Sequence, residues 1–198
     1  MTDAGEGEAV LLDRLRQGLE RIRPSRLSVR PGERRAAVLV PVLVGDGEPR
    51  LLLERRSARL THHAGQYGFP GGVVEPEDGR VERTALREAQ EETGIAPEDV
   101  EILGTLSDLR TPTGFVITPI VGLVRGVQQL RPEAGEVEEL VTVPLAFLTR
   151  PGAFRRVTRR SRGVLIHGDA LVYQGRVIWG ATARILLALR RILWSGST

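Results

Sequence analysis

The spacing of hydrophobic positions along this chain changes several times, and each change predicts an element. Between residues 8 and 22 (EAVLLDRLRQGLERI), Val10, Leu11, Leu15, Leu19 and Ile22 recur at helical spacing. They predict an N-terminal helix that ends near Pro24. Residues 28–33 (SVRPGE) form a turn-rich joint. The apolar run 36–44 (AAVLVPVLV) predicts a strand, with Pro41 pointing to a sheet edge or a bulge. A turn at 45–49 (GDGEP) leads into a second strand at 50–56 (RLLLERR), so the two read as a hairpin.

Residues 65–72 are loop-like, with Pro70-Gly71-Gly72 as strong punctuation. A helix is predicted over 81–93, with Gly94 as its C-terminal cap. Residues 100–109 (VEILGTLSDL) and 115–124 (FVITPIVGLV) read as strands joined by the turn TPTG at 111–114. LVTVPLAFL (140–148) reads as a strand running into a short proline-started helix, and residues 154–180 as β-hairpin material. A C-terminal amphipathic helix is predicted over 180–194. Strands that flank a central helix, with another helix at the end, predict an α/β layered domain with a mixed sheet. The division that follows is an N-terminal helical extension, 1–33, and a main domain, 34–198.

Bulk properties narrow the function classes. A chain of 198 residues favours one domain, and folding at that size buries about 70% of the unfolded chain's surface. Cysteine is absent, which excludes disulfides, thiolate metal sites and a cysteine nucleophile. The N-terminus MTDAGEGEAVLL lacks a basic segment followed by an apolar run, so it does not read as a signal peptide. The apolar run at 38–44 is far short of the ~20 residues a spanning helix needs. The expectation is a cytoplasmic protein without a membrane partner. The pI of 10.4 suggests nucleic-acid binding but has a simpler cause. Every one of the 28 basic residues is arginine, so a net charge of only +3 carries the pI high. Aromatic residues are 4% of the chain, too few for base-stacking platforms, so no nucleic-acid partner is expected. The absence of Lys, Asn and Cys fits a GC-rich genome or a thermophile.

Candidate chemistry concentrates in residues 69–95 (FPGGVVEPEDGRVERTALREAQEETGI), which carry seven acidic side chains. On the predicted helix, Ala85, Leu86 and Ala89 share the side that would pack on a sheet. Glu88, Glu91 and Glu92 stand at i, i+3 and i+4, so their carboxylates cluster elsewhere and repel. Clustered oxygens suit a hard divalent cation, and the plainer reading is a solvated acidic face. Arg87 and Glu91, at i and i+4, are placed to pair. The upstream Gly-Gly turn and the helix together make a layout suited to phosphate chemistry.

This stretch resembles the Nudix box: G, five residues, E, seven residues, then REUxEExGU with U aliphatic. REAQEETGI (87–95) matches the second half, with Ala89 at the U position. The first half carries one extra residue, so the first box glutamate is replaced by Asp78 or Glu77. Upstream, LLLERRSARLTHHAGQYGFPGG (51–72) resembles the signature of the coenzyme A pyrophosphatase branch through Leu52, Leu53, Arg56, Ser57, Gly65, Phe69, Pro70, Gly71 and Gly72. His63 and Gln66 also match common members, and the resemblance runs from about Arg34 to the C-terminus.

The resemblance implies a Nudix-type α/β/α sandwich with a mixed central sheet, and 34–198 as the Nudix hydrolase domain. It implies metal-dependent hydrolysis of the coenzyme A pyrophosphate to 3′,5′-ADP and 4′-phosphopantetheine. The alternatives are a Nudix hydrolase acting on ADP-ribose or NADH, and a non-catalytic Nudix-fold binding module. Glu88, Glu91 and Glu92 are the implied ligands of Mg²⁺ or Mn²⁺. The general base is one of those glutamates or a loop carboxylate, for which Glu136 is the candidate; Glu136 also reads as a solvated loop residue. Gly71 and Gly72 would bring backbone amides to the phosphates or simply make a tight turn. Arg56 would touch phosphate or cap a surface, and His63 would orient the loop or substrate or do neither. The run RRVTRRSR (155–162) would attract the 3′-phosphate of coenzyme A or be a solvated hairpin. The two terminal helices would support a homodimer or pack on the core.

Overall fold

The first hydrophobic pattern becomes helix α1, Asp3–Arg21. It comes from a computed structural model that describes residues 3–45, 47–60, 64–126, 129–161 and 164–194. The predicted hairpin is β1 (Arg34–Gly45) and β2 (Gly47–Arg56), paired antiparallel. Two short strands, β3 (Tyr67–Gly68) and β4 (Gly71–Val73), precede helix α2 (Val81–Thr93). Then come β5 (Val100–Thr105), β6 (Leu109–Arg110), β7 (Phe115–Val124) and β8 (Val137–Pro144). A second, three-stranded sheet holds β9 (Phe154–Ser161), β10 (Val164–Tyr173) and β11 (Arg176–Ile178). Helix α3, Gly180–Trp194, ends the described chain.

The main sheet runs β3-β2-β1-β7-β5, with β8 also on β2, β4 on β1 and β6 on β7. β1 and β7 pair in parallel from Arg34↔Phe115 to Leu43↔Val124, and the other pairings are antiparallel. The sheet is mixed, as predicted. The central strands are apolar on both faces because helices cover both. On one face Ala85 and Ala89 of α2 pack against Ala37, Leu39 and Ile120. On the other, Leu15 and Leu19 of α1 join Leu186 and Leu189 of α3 over Val40, Leu51 and Leu123. The result is an α/β/α sandwich. The apolar faces of the two terminal helices pack together and onto the sheet within one chain, which is the core-packing alternative.

Two expectations change. Pro41 lies at no edge: it is buried in β1 and faces Gly122 of β7. On the opposite side β1 changes partner, from β4 at Ala36–Val38 to β2 from Val42 onward. Leu39 N–H donates to Pro70 O at 2.9 Å across that side. Strand alternation points Pro41's missing donor the same way, into the gap between β4 and β2, where no ladder bond is lost. The turn TPTG joins β6, not β5, to β7. Residues 106–108 separate β5 from β6, and within them Asp108 fastens the segment after α1. It accepts from Leu27 N–H (2.9 Å), Arg35 Nη1 (3.0 Å) and Thr118 Oγ1 (2.8 Å). Burial pushes the Asp108 carboxyl up, but these donors outweigh it and hold the group below its usual range.

Candidate active site

Helix α2 follows a 3₁₀ turn at Pro76–Asp78, and Gly94 caps its end through an N–H bond to Gln90 O. The turn folds Asp78 back under the helix, where it is 7% exposed. Asp78 Oδ1 accepts from Arg87 Nε at 3.1 Å. Its Oδ2 accepts from Arg87 Nη2 (3.2 Å), Thr84 Oγ1 (2.8 Å) and Glu75 N–H (3.0 Å). The Arg87 guanidinium, with those other donors, holds the Asp78 carboxyl well below the ordinary range. Glu77 is exposed. Of the two acids in this loop, Asp78 is turned against α2 and Glu77 is not.

Arg87 also gathers the helix carboxylates, with Nη1 2.9 Å from Glu88 Oε1 and 3.2 Å from Glu91 Oε2. The predicted i, i+4 pair is present, and Glu91 is otherwise open to solvent. Glu92 is 4% exposed, and its Oε2 accepts from Gly71 N–H at 2.8 Å. The Gly71 amide is thus spent on orienting Glu92. Close approach to backbone requires a glycine at 71, whereas at 72 the neighbour is the movable end of a side chain. A Cβ at Gly71 would fall 2.3 Å from Ala37 O, and one at Gly72 2.2 Å from Glu88 Oε1. The two glycines do not make the expected tight turn: they lie in β4, paired with Ala37 and Val38 of β1, and Gly72 borders the Glu88 carboxylate.

Arg56, at the end of β2, lies among three carboxylates. Its Nη1 lies 3.6 Å from Glu54 Oε1 and 3.7 Å from Glu92 Oε1, and its Nη2 4.0 Å from Glu136 Oε2. Glu136 reaches this point because the β2–β8 register shifts between Arg55 and Arg56. Ser57 N–H donates to Glu136 O at 2.7 Å, which fixes the loop. Glu136's own side chain is about half exposed. His63 lies outside the described residues. Arg155 and Arg156 are exposed on β9 of the second sheet, apart from the sheet that carries Arg56, and the side chains of Arg159, Arg160 and Arg162 lie outside the described residues.

Glu54 was absent from the candidates. It is 1% exposed, and its Oε2 is buried with no hydrogen-bond partner. The signal lay in RLLLERR: a strand with three consecutive leucines is covered on both faces, so the next carboxylate inherits a buried position. Burial pushes Glu54 up, as do Glu136 and Glu88, against the pull of Arg56 and a side-chain interaction with Glu92. Burial and the neighbouring Glu54 push Glu92 up, against the Gly71 N–H bond. Burial also raises Glu88, against the pull of Arg87. The common cause is desolvated, like-charged carboxylates held close together.

Among the described residues, no three His, Asp or Glu side chains already converge on one metal position. Arginines stand between the carboxylates instead. The donor chemistry fits a hard divalent ion all the same: carboxylate oxygens from β2 and α2, one of them buried and unpaired, whose mutual repulsion a cation would relieve.

Comparisons with known proteins give the family and the fold. The NUDIX domain family matches residues 33–161. The uncharacterized Nudix hydrolase NudL of Pectobacterium atrosepticum is 46% identical over 166 residues, covering 80% of this chain and 83% of the relative. The protein of the same name from Cronobacter sakazakii is 39% identical over 184 residues, covering 93% and 95%. Among solved structures, the MutT protein from Methanosarcina mazei Go1 superposes with a TM-score of 0.54 at 20% identity, covering 89% of this chain and 99% of that one. That likeness speaks to the fold.

Proposed function

The chain belongs to the Nudix family, and from that premise we propose that it hydrolyses the pyrophosphate bond of coenzyme A or its derivatives to 3′,5′-ADP and 4′-phosphopantetheine. It is a pyrophosphohydrolase of a family whose members generally need a divalent metal ion. The observation that carries the substrate reading is where the 51–72 signature folds. Its Arg56 sits among Glu54, Glu92 and Glu136, its Gly71 orients Glu92, and its Gly72 borders Glu88. These contacts between residues of that signature and carboxylates of the Nudix box support the reading that both serve one site.

Glu88, Glu91 and Glu92 would hold Mg²⁺ or Mn²⁺, which supplies water activation and charge neutralisation when bound. Hydrolysis forms one P–O bond from water and breaks one bridging P–O bond, so a carboxylate must accept the water's proton. Glu136 is suited to that role by its reach from a loop fixed to β2, and the box glutamates are the other candidates. Arg56 offers a guanidinium to the phosphoryl oxygens. No described helix is long and apolar enough to cross a membrane. The test is a side-by-side assay of coenzyme A, its oxidised and acyl forms, ADP-ribose and NADH, with Mg²⁺ and with Mn²⁺. The expected result is fastest hydrolysis of a coenzyme A form. Hydrolysis of ADP-ribose far ahead of every coenzyme A form would overturn the reading.

A further inference from the structure

We propose that Glu54 is itself a ligand of the divalent cation, supplying Oε2 from strand β2 while the box carboxylates approach from α2. This rests on the metal-dependent reading above. The first ground is burial. Glu54 is 1% exposed, yet its Oε2 has no hydrogen-bond partner. Buried carboxylate oxygens are nearly always partnered, because a desolvated and unpaired oxygen is costly. The ion-pair contact with Arg56 is long, 3.6 Å from Nη1 to Oε1.

The second ground is direction. Leu52 packs beside Ile95, just past the end of α2. Strand alternation puts Glu54 and Arg56 on the same face as Leu52. On that face the same Arg56 nitrogen stands 3.7 Å from Glu92 Oε1. Two carboxylates from two different elements thus flank one guanidinium nitrogen, and one of them has an oxygen to spare. Hard divalent cations take such carboxylate oxygens from separate elements. Arg56 stands between them, where its positive charge offsets their repulsion, and a bound cation would supply the same charge compensation.

The test titrates MnCl₂ alone into the metal-free full chain by calorimetry and repeats the melting curve with and without Mn²⁺. Glu54→Gln keeps the shape and removes the charge. Mn²⁺ affinity should fall by more than about 100-fold, beyond the ~10–100-fold that loss of a supporting partner costs. The rise in Tm on adding Mn²⁺ should shrink with it, while the metal-free variant melts no lower than wild type. Glu138→Gln, at the half-exposed pair with Arg55 (3.3 Å), should keep wild-type Mn²⁺ affinity. Equal Mn²⁺ affinity in Glu54→Gln and wild type would overturn the proposal, as would an equal loss in Glu138→Gln. If Glu54→Gln folds poorly, Glu54→Met, of similar length and apolar, carries the same expectation and the same refutation. Because only Mn²⁺ binding is read, the outcomes separate. A wild type that binds Mn²⁺ and ignores coenzyme A defeats the substrate reading alone.

Discussion

Replacing Asp78 by Asn tests which acid answers for the extra residue in the loop before α2. An asparagine can leave its oxygen where Oδ2 accepts from Glu75, Thr84 and Arg87, but its NH₂ then meets Arg87 Nε, donor against donor. Hydrogen bonds to charged groups contribute about 1.5–3 kcal/mol each. Arg87 is 35% exposed, so water takes over part of what it loses. The lower half of the range applies, about 2 kcal/mol. For a chain of this size that lowers Tm by about 4–8 °C. Glu77→Gln, at an exposed position, should stay within about 0.5 kcal/mol of wild type. The pH dependence follows from the sign of the shift. Asp78's folded value is lowered, so its contribution is complete above the unfolded value near ~3.9 and is lost as pH falls toward the folded value. The assay is thermal melting of both variants from pH 3 to 8. The Tm gap of Asp78→Asn should be constant near neutrality and close in acid. A Glu77→Gln loss as large as that of Asp78→Asn, or a gap that widens in acid, would refute the assignment.

Glu92→Gln should abolish metal-dependent hydrolysis while circular dichroism and Tm show an intact fold; an active, folded variant would remove Glu92 from the site. The two glycines should separate fold from function. Gly71→Ala drives a Cβ into the backbone of β1 and should cost about 1–3 kcal/mol by denaturant melts. Gly72→Ala meets only the movable end of Glu88, so it should fold near wild type yet lose at least tenfold in kcat, on the order of a single preorganised group's contribution. Asp108→Asn leaves the Leu27 and Arg35 donors facing an amide and should destabilise by about 2–4 kcal/mol without a specific change in KM.

What the sequence disclosed, and what it hid, divides along a physical line. Periodicity reports local geometry, so the helix at 81–93 and the C-terminal helix at 180–194 are bounded correctly from hydrophobic spacing and a capping glycine. The carboxylates at 88, 91 and 92 are likewise legible, because spacing on one helix is local. Pro41 misleads because its tolerance depends on a partner change from β4 to β2, which no window of β1 reveals. Asp108 hides in a predicted strand because its four donors come from Leu27, Arg26, Arg35 and Thr118, dispersed in sequence. Glu54 is the instructive case. Its burial was deducible from the leucines before it, but its unpaired oxygen was not. That oxygen has meaning only once Arg56 and Glu92 are known to meet on the same side of β2. The candidate site lies where strand β2, the glycines of β4 and helix α2 converge. The helix contributes the pattern that can be read. The strand contributes a carboxylate whose role follows from what surrounds it and from the partner it lacks.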